Sequence, residues 1–434
     1  MNIVIIGAGR IGYNIARILA GKHSVMVVEK VEKRFDHVVN TLDVGALHAN
    51  GASPHTLQSI LRNDVDLFMA VTEKDETNIF ACMLAKKMKP DLITLARMRD
   101  LDYTEGDLVS SFLNVDQVIS PEYLVARKMM QITMLENVID YDAIPSRDLE
   151  IAKFRMSHNL QGMASIPLRH LPIPAECKIL FLHRNGKTLE PRGDEVLLTG
   201  DEIVVIAKED GIREFNKFLG TTKSSRDVLI IGGGVVAQYL VSMLEERENV
   251  SIRLIEQDEE RCRELAQRFG RTIIINDNGA DPLVLRNENV GMTDVMVSAT
   301  NNEESDLLAC LVGKHLGVSK TITSFSNPDY KDIFQMVGID SAVPDHGVLI
   351  LMEGFQKELI SVNVGHHSRV RDELIKDIDM PPKSVIAMVL TEDGAIIPEP
   401  SVRILEGDAV LLYADRSDTA VLERLFNARI PISP

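Results

Sequence analysis

The sequence predicts an α/β protein built as a tandem duplication, in which each copy has a doubly wound parallel sheet followed by a small α+β domain. Three observations support this fold class. The chain opens with an apolar run that leads directly into the glycine-rich turn Gly7-Ala-Gly-Arg-Ile-Gly12 and an amphipathic stretch, which is typical of strand, turn and helix. A similar segment, Gly232 to Ala237, follows another apolar run. In the last part of each copy, short apolar runs alternate with turn residues.

In the first copy, apolar runs alternate with helical patterns, which predicts a parallel sheet with helices on both faces, as in a Rossmann domain. We expect strands at 2–6, 24–28, 38–42, 65–71, 92–96 and 115–119, with helices at 10–20, 31–36, 53–62, 76–88 and 104–112. A longer helix at 122–139 is rich in methionine (Met129, Met130, Met134). Its apolar stripe is expected to pack on its own domain or on a second subunit. We favour the second subunit because a linker helix has little core of its own to cover.

From about residue 148 the pattern changes to short strands separated by turns. Strands are expected at 149–155, 162–165, 178–183, 195–198 and 202–207, and a closing helix at 212–219. Asn185-Gly186 lies between two apolar runs and predicts a hairpin. The second copy repeats the pattern from about 366, with strands at 384–390 and 409–413, a turn at 392–394 and a helix at 417–427. The resulting four domains are 1–140, 141–224, 225–365 and 366–434.

Composition limits the classes of partner. The 434 residues include 47 basic and 64 acidic side chains, a net charge of −17, which argues against nucleic acid or an anionic lipid surface as the main partner. The 4 cysteines have no metal-site spacing, so we expect a reduced, cytoplasmic, metal-free protein. A core strand begins at residue 2, so no signal peptide is expected. No apolar run reaches the ~18 residues of a membrane span, and any membrane contact is expected to come through a partner.

The first glycine-rich turn predicts a dinucleotide site. Its glycines allow close approach of a phosphate group, and the first helical turn offers free N–H groups. Glu29 ends the next apolar run, about twenty residues after Gly7, where a carboxylate can accept hydrogen bonds from both ribose hydroxyls. The alternative is a βα turn without a ligand. The expected contacts of this turn and strand are Gly7, Gly9, Arg10, Ile11, Gly12 and Glu29.

Further contacts are expected at the carboxyl ends of the other strands, where ligands bind in such sheets. Asp43 is expected to follow the third strand and to meet the adenine or a nearby amide. Arg97 and Arg99 are two residues apart, so they share one face and can bind a phosphate chain together with Arg10. Thr72 ends the fourth strand, and Asp75 and Asn78 open the helix that follows it, although helix capping is the alternative role of Thr72 and Asp75.

The second copy keeps the turn but not the cations. Its expected ligand contacts are Gly232, Gly234, Val235, Val236, Glu256, Asp277 and Thr300. Ser324 and Ser326 stand where the first copy has Arg97 and Arg99, and Glu303-Glu-Ser-Asp306 replaces Asp75-Glu-Thr-Asn78. We therefore expect a less charged ligand here, an adenine dinucleotide or an AMP-like group, or a purely structural role.

No catalytic group is apparent. A nicotinamide dehydrogenase needs a proton donor or acceptor near the ring and a domain that holds the substrate. The small domains are too short for that, and none of the 11 histidines forms an obvious dyad near either cleft. A binding site without a reaction indicates a sensor. An NAD-dependent oxidoreductase remains the alternative from another class.

The combination of Gly7-Ala-Gly-Arg-Ile-Gly12, Glu29, Asp75-Glu-Thr-Asn78 and Ala96-Arg97-Met-Arg99 in a duplicated chain resembles the TrkA family. Its members are cytoplasmic regulatory subunits of bacterial Trk potassium uptake systems and have tandem RCK-type domains. The resemblance covers essentially the whole chain. It implies a non-catalytic sensor of NAD(H) and ATP/ADP, assembled as a homotetrameric ring beneath a membrane-embedded potassium channel-like subunit (TrkH type).

The family's functional positions carry over to the first copy as Gly7, Gly9, Arg10, Gly12, Glu29, Thr72, Asp75, Asn78, Arg97 and Arg99. Ser324 and Ser326 depart from that pattern, so the resemblance does not extend polyphosphate binding to the second site. A regulator of a different cation transporter would share all of these features.

Overall fold

The computed structural model describes residues 1–434 except 63, 105–112, 145–148, 157–165, 190, 209, 221–225, 301, 328, 345–356, 382–383, 392–393, 416–417 and 429–434. The chain forms two compact units. One contains residues 1–127 and 233–242, and the other contains the remaining described residues. Among the described residues, no helix combines the length and the apolar character that crossing a bilayer requires.

The first unit contains a six-stranded parallel sheet with the strand order β3-β2-β1-β4-β5-β6, the doubly wound order that the sequence predicts. The strands are β1 (Asn2–Ile6), β2 (Ser24–Glu29), β3 (Gly45–His48), β4 (Leu67–Ala70), β5 (Ile93–Arg97) and β6 (Gln117–Ile119). The helices are α1 (Arg10–Ala20), α2 (Glu32–Thr41), α3 (Pro54–Ile60), α4 (Asp75–Met88), α5 (Leu101–Thr104) and the start of α6 (Pro121–Met134).

Helices cover both faces of this sheet because successive strand residues point to opposite sides. Val4 and Ile6 of β1 join the apolar core beneath α3 and α4, whereas Ile3 and Ile5 join the core beneath α1 and α2. Cys82 lies in the first of these cores, where burial raises the pKa of its thiol to about 12. Cys82 and Cys310 are both fully buried.

The predicted strand at 38–42 is wrong. Helix α2 continues to Thr41, and the third strand is Gly45–His48, which pairs in parallel with β2. Val38 and Val39 favour strands by intrinsic propensity, but Phe35, Val38 and Leu42 have helical spacing. Val38 is accordingly buried, whereas its neighbour Val39 is 52% exposed.

Asp43 consequently precedes the third strand instead of following it. It is exposed at the amino end of β3, whereas Glu29 pairs with His48 at the carboxyl end. The predicted contact of Asp43 with a ligand at the carboxyl edge is therefore wrong. The predicted helix at 104–112 lies almost wholly outside the described residues.

Helix α6 ends at Met134, short of the predicted 139, because Val138 already begins a strand. Its apolar stripe is covered within the chain, since Met129 and Ile132 are fully buried and Met130 is 8% exposed. These side chains therefore pack on their own chain, the role that ranked second in the sequence-based expectation.

The second unit begins with a five-stranded sheet in the order β10-β9-β11-β8-β7. Its elements are β7 (Val138–Ile144), β8 (Leu149–Arg155), β9 (Cys177–Arg184), β10 (Lys187–Leu189), β11 (Glu202–Lys208) and α7 (Gly211–Phe218), with a 3-10 turn at Leu168–His170. Asn185 and Gly186 both have positive φ, 51° and 74°, and form the predicted hairpin turn between β9 and β10. The expected strand at 195–198 is reduced to an isolated bridge at Val196, and 162–165 lies outside the described residues.

The duplicated sheet has the order β14-β13-β12-β15-β16-β17 and repeats the topology of the first. Its strands are β12 (Arg226–Ile231), β13 (Val250–Glu256), β14 (Thr272–Asn276), β15 (Val295–Ser298), β16 (Lys320–Phe325) and β17 (Ser341–Pro344). The helices of this copy are α8 (Val235–Glu245), α9 (Glu259–Arg268), α10 (Pro282–Asn287), α11 (Glu303–Leu316) and α12 (Asp329–Met336), with a 3-10 turn at Val290–Met292.

The last sheet has the order β18-β21-β19-β20. It consists of β18 (Lys357–Asn363), β19 (Val385–Thr391), β20 (Gly394–Ile396) and β21 (Ala409–Asp415), with helix α13 (Thr419–Phe426) and a 3-10 turn at Ile375–Asp377. Strand β18 lies before residue 366, where the sequence pattern indicates the start of this domain.

The two small sheets share one apolar core, formed by β8, β9 and β11 on one side and β19 and β21 on the other. Leu180 of β9 and Met388 of β19 are fully buried in it. The ammonium group of Lys178 donates to the carbonyls of Ile386 and Pro398 at 3.3 and 3.1 Å. The two small domains therefore form one continuous body within the second unit.

Candidate functional site: two glycine-rich clefts

The first candidate site lies where β1 leads into α1. Gly7 has a φ of +98°, and a Cβ there would lie 3.0 Å from Cγ2 of Thr72. A Cβ on Gly12 would lie 1.9 Å from the carbonyl oxygen of Gly7. Gly9 differs, because its nearest neighbours would be Arg34 at 3.8 Å and Glu73 at 4.0 Å. Gly7 and Gly12 are thus required by the turn itself, whereas Gly9 keeps the space above the turn open. Ile11 packs into the core and Arg10 begins the helix.

The carboxylate of Glu29 links the glycine-rich turn to the end of β2 through hydrogen bonds. Its Oε2 accepts a hydrogen bond from the N–H of Ala8 at 2.6 Å, and its Oε1 accepts from the N–H groups of Lys30 and Val31, both at 2.8 Å. The residue is only 4% exposed. The carboxylate is therefore held at the carboxyl edge of the sheet, beside the glycine turn.

Thr72 and Asn78 form a closed hydrogen-bonded pair after β4. The side-chain oxygen of Asn78 accepts from the N–H and the hydroxyl of Thr72 at 2.9 and 2.7 Å. The amide nitrogen of Asn78 donates to the carbonyls of Thr72 and Arg97. Asn78 is fully buried and ties the end of β4 to the end of β5. Its role in this structure is to position the cleft.

Asp75 anchors the turn after β5. Its Oδ2 accepts from the N–H groups of Arg99 and Asp100 at 2.9 and 2.8 Å. The capping residue of α4 is Lys74, and no side chain caps the helix, so the alternative capping role of Thr72 and Asp75 is wrong. Asp75 instead holds the segment that carries the two arginines.

Arg97 and Arg99 converge, as their spacing predicts. Both contact the same oxygen of Glu122 in the first turn of α6, Arg97 through Nη2 and Arg99 through Nε at 3.3 Å. Arg97 also donates from Nη1 to the carbonyl of Thr72 at 3.4 Å. Sequence reasoning missed Glu122, because neither its spacing nor its neighbours mark it as a partner of β5. The ion pair between Arg34 and Glu73 across Gly9, with Nη2 and Oε1 3.0 Å apart, was also missed.

The second copy repeats the scaffold. Gly232 has a φ of +93° and donates its N–H to Ile255, as Gly7 does to Val28. Gly234 precedes helix α8, which begins with Val235 and Val236. Glu256 ends β13, and its Oε1 accepts from the N–H of Asp258. Asp277 directly follows β14, at the carboxyl edge as expected.

In the second copy an acidic group replaces the first copy's amide, and serines replace its cations. Oδ1 of Asp306 accepts from Thr300 N, Thr300 Oγ1 and Ser298 Oγ, in the position that Asn78 has in the first copy. Burial raises the pKa of Asp306. Glu303 accepts from the N–H and hydroxyl of Ser326, as Asp75 does from the turn that carries Arg99. Ser324 lies within β16, near its carboxyl end.

This fold and these clefts define a protein with two Rossmann-type domains in one chain, only the first of which presents paired arginines. The family model of the TrkA-N domain matches residues 3–121 and 228–344, and that of the TrkA-C domain matches 161–220 and 359–427. The chain belongs to the TrkA family.

Two relatives span nearly the whole chain. The Trk system potassium uptake protein TrkA homolog 1 of Methanosarcina mazei is 31% identical over 453 residues, with 98% of this chain and 100% of the relative covered. The Trk system potassium uptake protein TrkA of Haemophilus influenzae is 26% identical, with 98% of each chain covered.

Solved structures show the same fold. The RCK domain of GsuK superposes with a TM-score of 0.64 at 15% identity, covering 99% of this chain and 95% of that one. The GsuK channel bound to NAD has a TM-score of 0.62 at 14% identity, covering 99% and 79%. At these identities the likeness establishes the RCK fold.

Proposed function

We propose that this chain is a nucleotide-sensing regulatory subunit of a membrane-embedded potassium transporter of the TrkH type. It works without catalysis, as a cytoplasmic homotetrameric ring on the inner face of the membrane. The relatives' names support the link to potassium uptake. In each copy a Rossmann domain binds the ligand and a small domain transmits its state. The boundaries lie near 140 and 224 and, because β18 belongs to the last sheet, before Lys357.

One observation carries the proposal for ligand choice. In the first cleft Arg97 donates to the carbonyl of Thr72, which borders the glycine turn, and Arg99 shares the partner Glu122 with Arg97. In the second cleft Ser326 is bonded to Glu303 at the matching position. Paired guanidinium groups suit the terminal phosphates of ATP or ADP. NAD(H) has fewer charges, needs only the turn and the acidic residue, and so suits both clefts. Binding of NAD by the GsuK channel supports this ligand class.

The contact residues follow from this assignment. In the first cleft Gly9 and Arg10 face the phosphates and Glu29 the ribose, while Thr72, Asp75 and Asn78 hold Arg97 and Arg99 in position. In the second cleft Gly232, Gly234, Glu256, Asp277 and Thr300 hold the adenosine part. A ligand can shift the ring between two domain arrangements only by the difference in its affinity for them. ATP and ADP, which differ by one phosphate, must therefore differ in their contacts with Arg97 and Arg99.

We expect the double substitution Arg97→Ala with Arg99→Ala to weaken ATP binding by about tenfold or more, because charge-assisted contacts to the terminal phosphates are lost. NADH affinity should largely hold. Isothermal titration with ATP, ADP and NADH measures both. The matched control is Ser324→Ala with Ser326→Ala in the second copy, which should leave ATP affinity unchanged. Equal losses of ATP and NADH affinity in the arginine variant would contradict the assignment.

A further inference from the structure

The two arginines of the first cleft already have an anionic partner within the chain. Glu122 lies in the first turn of α6, and its carboxylate contacts Arg97 and Arg99 through the single oxygen Oε1. The side chains of Glu122 and Arg97 are only 13% and 9% exposed. A terminal phosphate that binds these guanidinium groups must therefore compete with a carboxylate that is shielded from water.

This pairing leaves hydrogen-bonding capacity unused. The Nε–H groups of Arg97 and Arg99 and the second oxygen of Glu122, Oε2, are buried and have no hydrogen-bond partner among the described residues. A buried ion pair is strongly stabilising only when its remaining donors and acceptors are also satisfied. A phosphate group presents several acceptor oxygens and can engage a guanidinium with two parallel bonds, which this carboxylate does not achieve here.

The position of the pair connects it to the cleft. Nη1 of Arg97 donates to the carbonyl of Thr72, and a Cβ on Gly7 would lie 3.0 Å from the methyl group of Thr72. The guanidinium group therefore reaches the residue that borders the glycine turn. Glu122 lies on the other side of the arginines, at the start of α6, where the helix dipole favours its negative charge.

We propose that Glu122 is an internal competitor for the terminal phosphate, and that it thereby sets the selectivity of the first cleft among nucleotides of different charge. Without that phosphate, the carboxylate neutralises part of the charge of Arg97 and Arg99. A bound polyphosphate displaces it and leaves it without its cationic partners. Ligands that do not reach the arginines, such as NAD(H), leave the pair intact. This inference rests on the proposed nucleotide binding at the first cleft.

The test is Glu122→Gln, which keeps the shape of the side chain and removes the charge. We expect ATP to bind more tightly, on the order of fivefold to tenfold, because the competing anion is lost. NADH affinity should stay within twofold of wild type. Glu76→Gln is the matched control, since Glu76 is an exposed carboxylate in the first turn of α4. It changes the net charge equally and should leave ATP affinity unchanged.

A double-mutant cycle isolates the contact. In the Arg97→Ala, Arg99→Ala background, Glu122→Gln should no longer improve ATP binding. Glu122→Asp, whose shorter side chain draws the carboxylate back, should give an intermediate gain and covers the case in which the glutamine variant does not fold.

The outcomes separate the two claims. ATP binding that requires the arginines but is unchanged or weakened by both Glu122 substitutions would overturn the competitor role. Wild-type protein that does not bind ATP, or binds it equally well without the arginines, would instead overturn the proposed function of the cleft.

Discussion

The variant Gly9→Ala is expected to lose ATP and ADP binding at the first cleft, by at least about tenfold, while its unfolding midpoint stays at the wild-type value. Gly9 has the ordinary backbone angles φ −64° and ψ 179°, and a Cβ there meets no atom closer than 3.8 Å. The folded chain therefore tolerates alanine. A nucleotide diphosphate does not, because its oxygens must approach the N–H groups of the turn through the space that the methyl group would fill.

Gly21→Ala is the matched control for this substitution. Gly21 follows the other end of the same helix, has a φ of −73°, and a Cβ there meets nothing within 4 Å. It should bind ATP as the wild type does. Titration calorimetry gives the affinities and urea unfolding gives the midpoints. Wild-type ATP affinity in Gly9→Ala would show that the phosphates do not bind at this turn.

The free energy of unfolding of the second unit is expected to rise with pH between about 7 and 10, because of one buried lysine. Lys320 begins β16, is 6% exposed, and its ammonium group donates to the carbonyls of Ile132 and Leu135 at 2.7 and 2.8 Å, at the end of α6. Burial, and then the neighbouring charge of Arg226, lower the pKa of Lys320 to about 7.

The sign follows from the protons bound in each state. In the unfolded chain the pKa of Lys320 returns to about 10.4. Above pH 7 the folded protein has lost this proton while the unfolded chain still binds it. Stability should therefore increase by about 1.4 kcal/mol per pH unit across this window. Below pH 7 both states are protonated, and the full cost of burying the charge remains.

The charged groups around Lys320 must be the same in the two proteins whose stabilities are compared. Arg226, Glu136, Asp340 and Arg155 all influence its titration. Lys320→Met keeps them and removes only the amine, so the difference between wild-type and variant urea curves, measured from pH 6 to 10, reports Lys320. Lys187→Met, at an exposed position of β10, is the control and should run parallel to the wild type. If the free energy of unfolding of Lys320→Met changes with pH in the same way as that of the wild type, Lys320 is not the source of the pH dependence.

Short sequence motifs correctly predicted the features that depend mainly on residues close together in the chain. The glycine turn and the acidic residue at the end of β2 depend on short spacings, and the duplication appears as a repeat of the same motifs. The separation of two residues between Arg97 and Arg99 predicted that they converge, although Arg99 lies just beyond β5. The structure confirms the doubly wound topology and the pairing of these arginines.

The incorrect predictions concern segments whose structure depends on contacts with residues elsewhere in the fold. Val38 and Val39 favour a strand in isolation, but Val38 packs from α2 into the apolar core, which keeps the segment helical. Asp43 was misassigned with that strand. Thr72 and Asp75 are residue types that often cap helices. Their hydrogen-bond partners here are Asn78 for Thr72 and the turn after β5 for Asp75. Glu122 reaches the arginines from α6, more than twenty residues further along the chain, so no short-range pattern marks it.

The central claim is that the nucleotide in the first cleft controls potassium transport. The most direct measurement is potassium flux into liposomes that contain the TrkH-type partner, with this chain added on the cytoplasmic side and with saturating ATP, ADP or NADH. We expect flux to differ at least severalfold between ATP and ADP, and we expect Gly9→Ala to remove this difference. Equal flux with every nucleotide, under conditions where wild-type protein binds them, would contradict it.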